Sequence, residues 1–141
     1  MSKISQELDA EIRAASKHRC GYCLTPQILT SYKLELEHIC PFAKGGASKK
    51  ENLCLACRHC NLHKAAKVFG VDVLTARKVR LFHPNRQNWS EHFDWDEDKT
   101  SVIGKTACGR ATIYALKMND ELQTNARQVW KLTGLFPPEN E

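Results

Sequence analysis

Two Cys-x-x-Cys pairs, Cys20-Gly21-Tyr22-Cys23 and Cys57-Arg58-His59-Cys60, set the first limit on how this chain can fold. Four thiols from two short turns converge on one ion only if the chain between them doubles back, and thirty-three residues separate Cys23 from Cys57. That insert is longer than a compact zinc ribbon allows, so a metal here ties together the ends of an inserted element. Gly21 permits the tight turn that aims the first two sulfurs at a common point. Seven cysteines is an odd number, and the paired spacing favours zinc thiolates over disulfides in a reducing compartment. A redox role for either pair explains less, because two matched pairs flanking a histidine-rich segment have a simpler joint reading. Cys40, Cys54 and Cys108 stand among apolar neighbours and read as small buried thiols.

The length of 141 residues suits one compact domain, or a small catalytic core with an appended module. A formal net charge of +5, with basic residues gathered around 44–67 and 77–86, makes a polyanion a plausible partner. No apolar run reaches the roughly eighteen residues that a membrane helix needs, and residues 1–17 lack the apolar core of a secretory signal. A soluble, cytoplasmic protein is the expectation.

Ile4, Leu8, Ile12 and Ala15 recur at helical spacing opposite Glu7, Asp9, Glu11 and Arg13, predicting a helix over 5–15 with Ser5 as its cap. After Thr25-Pro26, the stretch 28–39 reads as a strand with Leu34, Leu36 and His38 on one side and Glu35 and Glu37 on the other. Residues 41–52 form a loop with Gly45-Gly46 and three lysines, too polar for a core but suited to a phosphate backbone. Residues 53–56 predict a second strand, and a helix starting near Cys57 or Cys60 runs to about Val68, closed by Phe69-Gly70. The second half predicts an antiparallel meander of strands at 78–82, 89–95 and 101–104. Two helices follow. The first buries Ala111, Tyr114, Ala115 and Met118; the second, capped by Asp120, buries Leu122, Ala126, Val129 and Trp130. The expected division is residues 1–70 as a zinc-braced core with its N-terminal helix, and residues 71–141 as an extension packed on it.

Within 37–64 the chain places Glu37-His38, Gly45-Gly46, Asn52-Leu53 and Cys60-Asn61-Leu62-His63-Lys64 in close succession. A carboxylate, an imidazole, an amide and several cations are the parts of a metal-dependent phosphodiesterase. Taken as CGYC, then LELEHICPFAKGG, then ENLCLACRHCNLHK, the text resembles the HNH endonuclease family over roughly residues 20–67, about a third of the chain. The tail VRLFHPNRQNWSEHFDW and GKTACGRATIYALKMN is also similar to the extension of one group of small HNH proteins.

The resemblance implies an α+β fold: a ββα-metal nuclease core braced by a four-cysteine zinc site of Cys20, Cys23, Cys57 and Cys60, followed by the β-meander and two C-terminal helices. It implies that His38 is the general base, that Glu37 before it ligates the catalytic metal, and that Asn52 is the middle asparagine, a catalytic residue that orients the imidazole or its loop through a hydrogen bond. At the third position the family name calls for histidine and this chain has Asn61, as in the HNN variant, where asparagine is a metal ligand. His63 and His59 lie close enough in sequence to substitute, and Asn61 is favoured by its position.

On this reading neutral His38 takes a proton from a water that attacks phosphorus in line, and the products carry a 5′-phosphate and a 3′-hydroxyl. Oxygen ligands suit Mg²⁺ or Mn²⁺, whereas the four thiolates select Zn²⁺, so two different metals are expected. Lys44, Lys49, Lys50, Arg58, Lys64 and Lys67 are candidates for contacting DNA phosphates, with solvated surface charge as the plainer reading of each. Trp89, Phe93 and Trp95 read as core residues, with base stacking as their other use. The competing function is a zinc-ribbon nucleic-acid-binding module without chemistry. It has no need of a base beside a metal.

Overall fold

The computed structural model describes residues 4–139. The chain opens with helix α1, Gln6–Ala15, whose first turn is capped by the Ser5 hydroxyl accepting from the Leu8 N–H. Its apolar stripe buries Ile12, and Arg13 reaches out to donate to the Leu34 carbonyl at 2.8 Å. After the first cysteine pair, residues 27–29 make a single 3₁₀ turn. The strand anticipated over 28–39 is therefore confined to β1, Glu35–His38. Gln27 explains the shortening, because it turns its side-chain amide onto the Tyr32 carbonyl and the Leu34 N–H, closing the preceding segment on itself.

β1 pairs antiparallel with β2, Leu53–Ala56, in a register that sets Glu37 opposite Cys54 and His38 opposite Leu53. Helix α2, Arg58–Lys64, follows directly, giving strand, loop, strand, helix in the expected order. It ends before Val68 because Ala65 takes a positive φ of 51°, which ordinary side chains enter only at a helix stop. Phe69-Gly70, anticipated as a helix end, instead enters strand β3, Phe69–Val71, which pairs with β4, Lys78–Arg80. Asp72 organises the turn between them: its carboxylate accepts from the Leu74 N–H and the Thr75 hydroxyl and takes a two-pronged bond from Arg110 at 2.8 and 3.0 Å.

The three-stranded meander is replaced by separate hairpins. The segment at 78–82 pairs backward with β3, residues Trp89–His92 coil into a short helix α3, and only then does β5, Phe93–Trp95, pair with β6, Val102–Gly104. Among the described residues the strands thus form three two-stranded antiparallel sheets. Helix α4, Ala107–Ala115, is capped by Thr106 and lies against β3, β4 and β6. Helix α5 spans Glu121–Trp130.

The inward faces of these last helices differ from the apolar stripes read in the sequence. Tyr114, Leu122 and Val129 are exposed, while Arg127 is completely buried. Its guanidinium donates to the carbonyls of Thr100 and Met118 at 2.8 and 2.7 Å and lies 5.6 Å from the Trp95 ring centre. Those carbonyls need donors, and a buried arginine that meets them is tolerated where a bare charge would not be.

One buried cluster runs through both halves, from Cys20, Tyr22 and Leu55 to Phe82, Phe93, Val102 and Met118. Trp89, Phe93 and Trp95 belong to it or pack on it, with ring centres 5.1 and 5.4 Å from Trp89. Of the spare thiols, Cys54 is buried, while Cys40 and Cys108 are half-buried. Among the described residues no helix is long and apolar enough to cross a membrane.

Candidate functional site

Cys20 and Cys23 sit in a turn after α1, and Cys57 and Cys60 at the N-terminus of α2, where the Cys57 sulfur accepts from the Cys60 N–H at 3.4 Å. The Tyr22 N–H points at the Cys20 sulfur in the same manner, also at 3.4 Å. All four sulfurs are buried and lie within 4.8 Å of one another, and the Cys23 and Cys57 sulfurs are 3.6 Å apart. Sulfurs arranged tetrahedrally at zinc–thiolate bond length stand about 3.8 Å apart, so the cluster fits a structural zinc. The Cys57 and Cys60 thiols are pushed well above the ordinary range, foremost by hydrogen bonding with Cys20, while Cys23 is pulled down by the same neighbour. A bound divalent cation removes that conflict by neutralising the thiolates together.

The clamp ties the turn at 20–23 to the start of α2, directly after β2. Because side chains alternate along a strand, Glu35 and Glu37 share one face of β1, and that face meets α2. Glu37 is 7% exposed, and its carboxyl is raised above the usual range, chiefly by burial, with the Lys64 ammonium opposing the shift. Lys64 Nζ lies 3.2 Å from Glu37 Oε2 without the alignment of a hydrogen bond, leaving Oε2 a buried oxygen that has a neighbouring charge but no donor. The same ammonium donates to the Ile39 carbonyl at 2.9 Å.

Asn61, one turn before Lys64, donates through Nδ2 to Glu35 Oε1 at 2.7 Å, while Arg58 approaches the other oxygen of Glu35 at 3.4 Å. Glu35 is thus the partner that positions Asn61. The signal for it in the sequence is its place two residues before Glu37 on the same strand face.

His38 leaves β1 on the opposite face, and its Nε2 lies 2.9 Å from the Ser48 hydroxyl in the glycine loop. No motif in the sequence marks Ser48. Asn52 holds the loop around it: Oδ1 accepts from the Cys40 N–H at 2.8 Å, and Nδ2 donates to the carbonyls of Cys40 and Ala47 at 3.0 and 2.9 Å. Gly45 takes a φ of +88°. Gly46 passes so near the Cys40 carbonyl that an added Cβ would fall 1.8 Å from its oxygen. The Asn52 amide therefore acts on the loop backbone rather than on the imidazole.

The basic residues divide. Lys44 and Lys49 are exposed on the loop, Lys50 pairs with Glu11 at 2.9 Å, Arg58 leans on Glu35, and Lys67 donates to the His63 carbonyl at 3.0 Å. Lys64 is 1% exposed and faces Glu37 and the hairpin backbone, so the structure makes it an internal counter-ion in place of the surface phosphate contact read in the sequence. His63 is also redirected. Two residues beyond Asn61 it stands about 200° around α2, where its ring stacks on His59 with centres 4.3 Å apart.

Comparison with curated proteins and with solved structures returned no match. Comparison with family models matched the one described as HNH endonuclease over residues 20–67. That span contains the four-thiol clamp, β1, the glycine loop, β2 and α2, so the ββα unit of this chain carries the signature of the HNH endonuclease family.

Proposed function

We propose that the chain is a metal-dependent endonuclease that hydrolyses DNA phosphodiester bonds with His38 as general base. The observation that carries this reading is the buried Glu37 carboxylate, whose Oε2 has no aligned donor although the Lys64 ammonium lies 3.2 Å away, next in sequence to a half-buried imidazole. An oxygen that is paired in charge but short of an aligned hydrogen bond has lone-pair capacity left for a cation.

Glu37 and Asn61 would hold Mg²⁺ or Mn²⁺, Asn61 through the Oδ1 that its bond to Glu35 leaves over. When bound, such an ion stabilises charge developing on the phosphate and on the leaving 3′ oxygen. The protein's own groups do the rest. Ser48 holds the His38 ring at Nε2, and with its hydroxyl accepting there the ring's other nitrogen is free to take the proton of an attacking water. Asn52 keeps the loop from collapsing onto that ring. Lys64 balances the charge of Glu37 from within, and Lys44, Lys49, Lys50, Arg58 and Lys67 supply cations for the DNA backbone. Residues 71–141 serve as the extension packed on the 1–70 core, and the packing is supported by Trp89 Nε1 donating to the Tyr22 carbonyl at 2.7 Å and Asn85 Nδ2 donating to that of Leu53 at 2.9 Å.

The experiment is nicking of supercoiled plasmid by the zinc-loaded protein with Mg²⁺ or Mn²⁺, alongside His38→Ala. A loss of about 100-fold or more in the variant, with DNA binding kept, is the expected result for removal of a general base. Equal nicking by both proteins refutes the role of His38. Binding without cleavage by the wild type under every metal returns the chain to the binding-module reading.

A further inference from the structure

On the far side of α2 from Glu37, three side chains that the proposed reaction does not use come together. His59, His63 and Asp120 each bring a ligand atom within 4.8 Å of the others. The two histidines are four residues apart on one helix, the spacing that places both rings on one face and lets them grip a single ion.

Their hydrogen bonds prepare them for this. His59 Nε2 lies 2.8 Å from the Lys117 carbonyl, and His63 Nδ1 lies 2.8 Å from the His59 carbonyl. A carbonyl only accepts, so each of these nitrogens carries the proton, and the lone pairs fall on His59 Nδ1 and His63 Nε2. Backbone carbonyls play this orienting part behind histidine ligands of metals. Asp120 occupies the N-cap position of α5 yet makes no side-chain capping bond, which leaves its carboxylate uncommitted. The carbonyl that holds His59 belongs to Lys117, a residue with a φ of 49°, and the same carbonyl takes the Asp120 N–H at 3.2 Å. The turn that presents Asp120 is thus built onto the His59 ring.

We propose that His59, His63 and Asp120 bind a borderline divalent transition metal, with Zn²⁺ as the probe of choice, at a third site separate from the thiolate cluster and from Glu37 and Asn61. Two imidazoles and one carboxylate leave a coordination position for water, as in three-ligand sites. The ion would join α2, whose other face carries Asn61 and Lys64, to the turn between α4 and α5.

The test is calorimetric titration of Zn²⁺ into full-length protein whose thiolate cluster is already filled, with a parallel titration followed by the imidazole ¹⁵N resonances. The wild type should show a binding event that moves the ring signals of His59 and His63 together. That event should weaken at least tenfold in His63→Ala and in Asp120→Ala, and persist in Asn61→Ala. Asp120→Ala removes the ligand without removing a side-chain capping bond of α5, so loss of the cap cannot imitate its effect. The proposal is overturned if both ligand variants titrate as the wild type, if the two rings do not shift, or if the event disappears in Asn61→Ala alone. None of these readouts depends on cleavage of DNA, so loss of the nuclease reading would leave this one standing.

Discussion

Replacing Lys64 by methionine keeps most of the side chain's apolar length and removes its charge together with its N–H donors. The native ammonium is 1% exposed, 3.2 Å from a carboxylate whose side chain is 9% exposed, and 2.9 Å from the Ile39 carbonyl. Its loss strands a buried Glu37 charge and deprives the carbonyl of a donor. Breaking one member of a buried pair costs roughly 3–5 kcal/mol, and an orphaned acceptor about 1–3. Both losses come from one group and overlap, so we expect Lys64→Met to lose about 4 kcal/mol of unfolding free energy. The double variant with Glu37→Gln, which no longer strands a charge, should recover about 2 kcal/mol of that. Urea unfolding at pH 7 with zinc in excess measures both quantities, provided the denaturant slopes agree. A surface cation serving only DNA would change stability by less than about 0.5 kcal/mol. A loss below about 1 kcal/mol, or a double variant no more stable than the single one, would refute an internal role for Lys64.

Cys57→Ser should lose the structural zinc and at least about 3 kcal/mol of stability, whereas His38→Ala should leave the melting temperature nearly unchanged; zinc by elemental analysis and a thermal melt check the pair. Gly46→Ala drives a methyl into the Cys40 carbonyl, and an expected loss of about 2–3 kcal/mol by urea unfolding measures that overpacking. Asp72 is held well below the usual carboxylate range, first by its bond with Arg110. Its contribution is therefore present above the unfolded value of about 4 and is lost as pH falls through the lower folded value. The stability gap between wild type and Asp72→Asn should narrow as the pH is taken from about 5 toward about 2, and a constant gap in urea midpoints would contradict the assignment.

What could be read from residues alone was whatever short spacing encodes. A Cys-x-x-Cys turn carries its own geometry, so the thiol cluster was legible from Cys20, Cys23, Cys57 and Cys60 before any fold was known. The alternation from Glu35 to His38 likewise revealed a strand and its two faces. The bond from Asn61 to Glu35 was not visible, because it spans twenty-six residues and depends on how α2 docks. Lysine composition suggests solvent, yet Lys64 is 1% exposed and carries its ammonium to a partner inside. Arg127 escaped for the same reason, and its burial displaced the apolar stripe expected on α5. At Trp89–His92 aromatic alternation suggested a strand, but burial of Trp89 and its bond to the Tyr22 carbonyl favoured a helical turn. The meander assumed that neighbouring hairpins join edge to edge; the Asp72 turn ties 78–80 back to 69–71 instead.

The indole of Trp89 and the amide of Asn85 reach back to backbone oxygens of the cysteine turn and of β2. Severing the chain after the helix that bears Asn61 would leave those oxygens wet and strip the apolar cover from Tyr22 and Leu55. The ββα unit of this protein is consequently no portable cassette: transplanted by itself into another polypeptide, it would need a substitute lining for its underside before it could hold its shape.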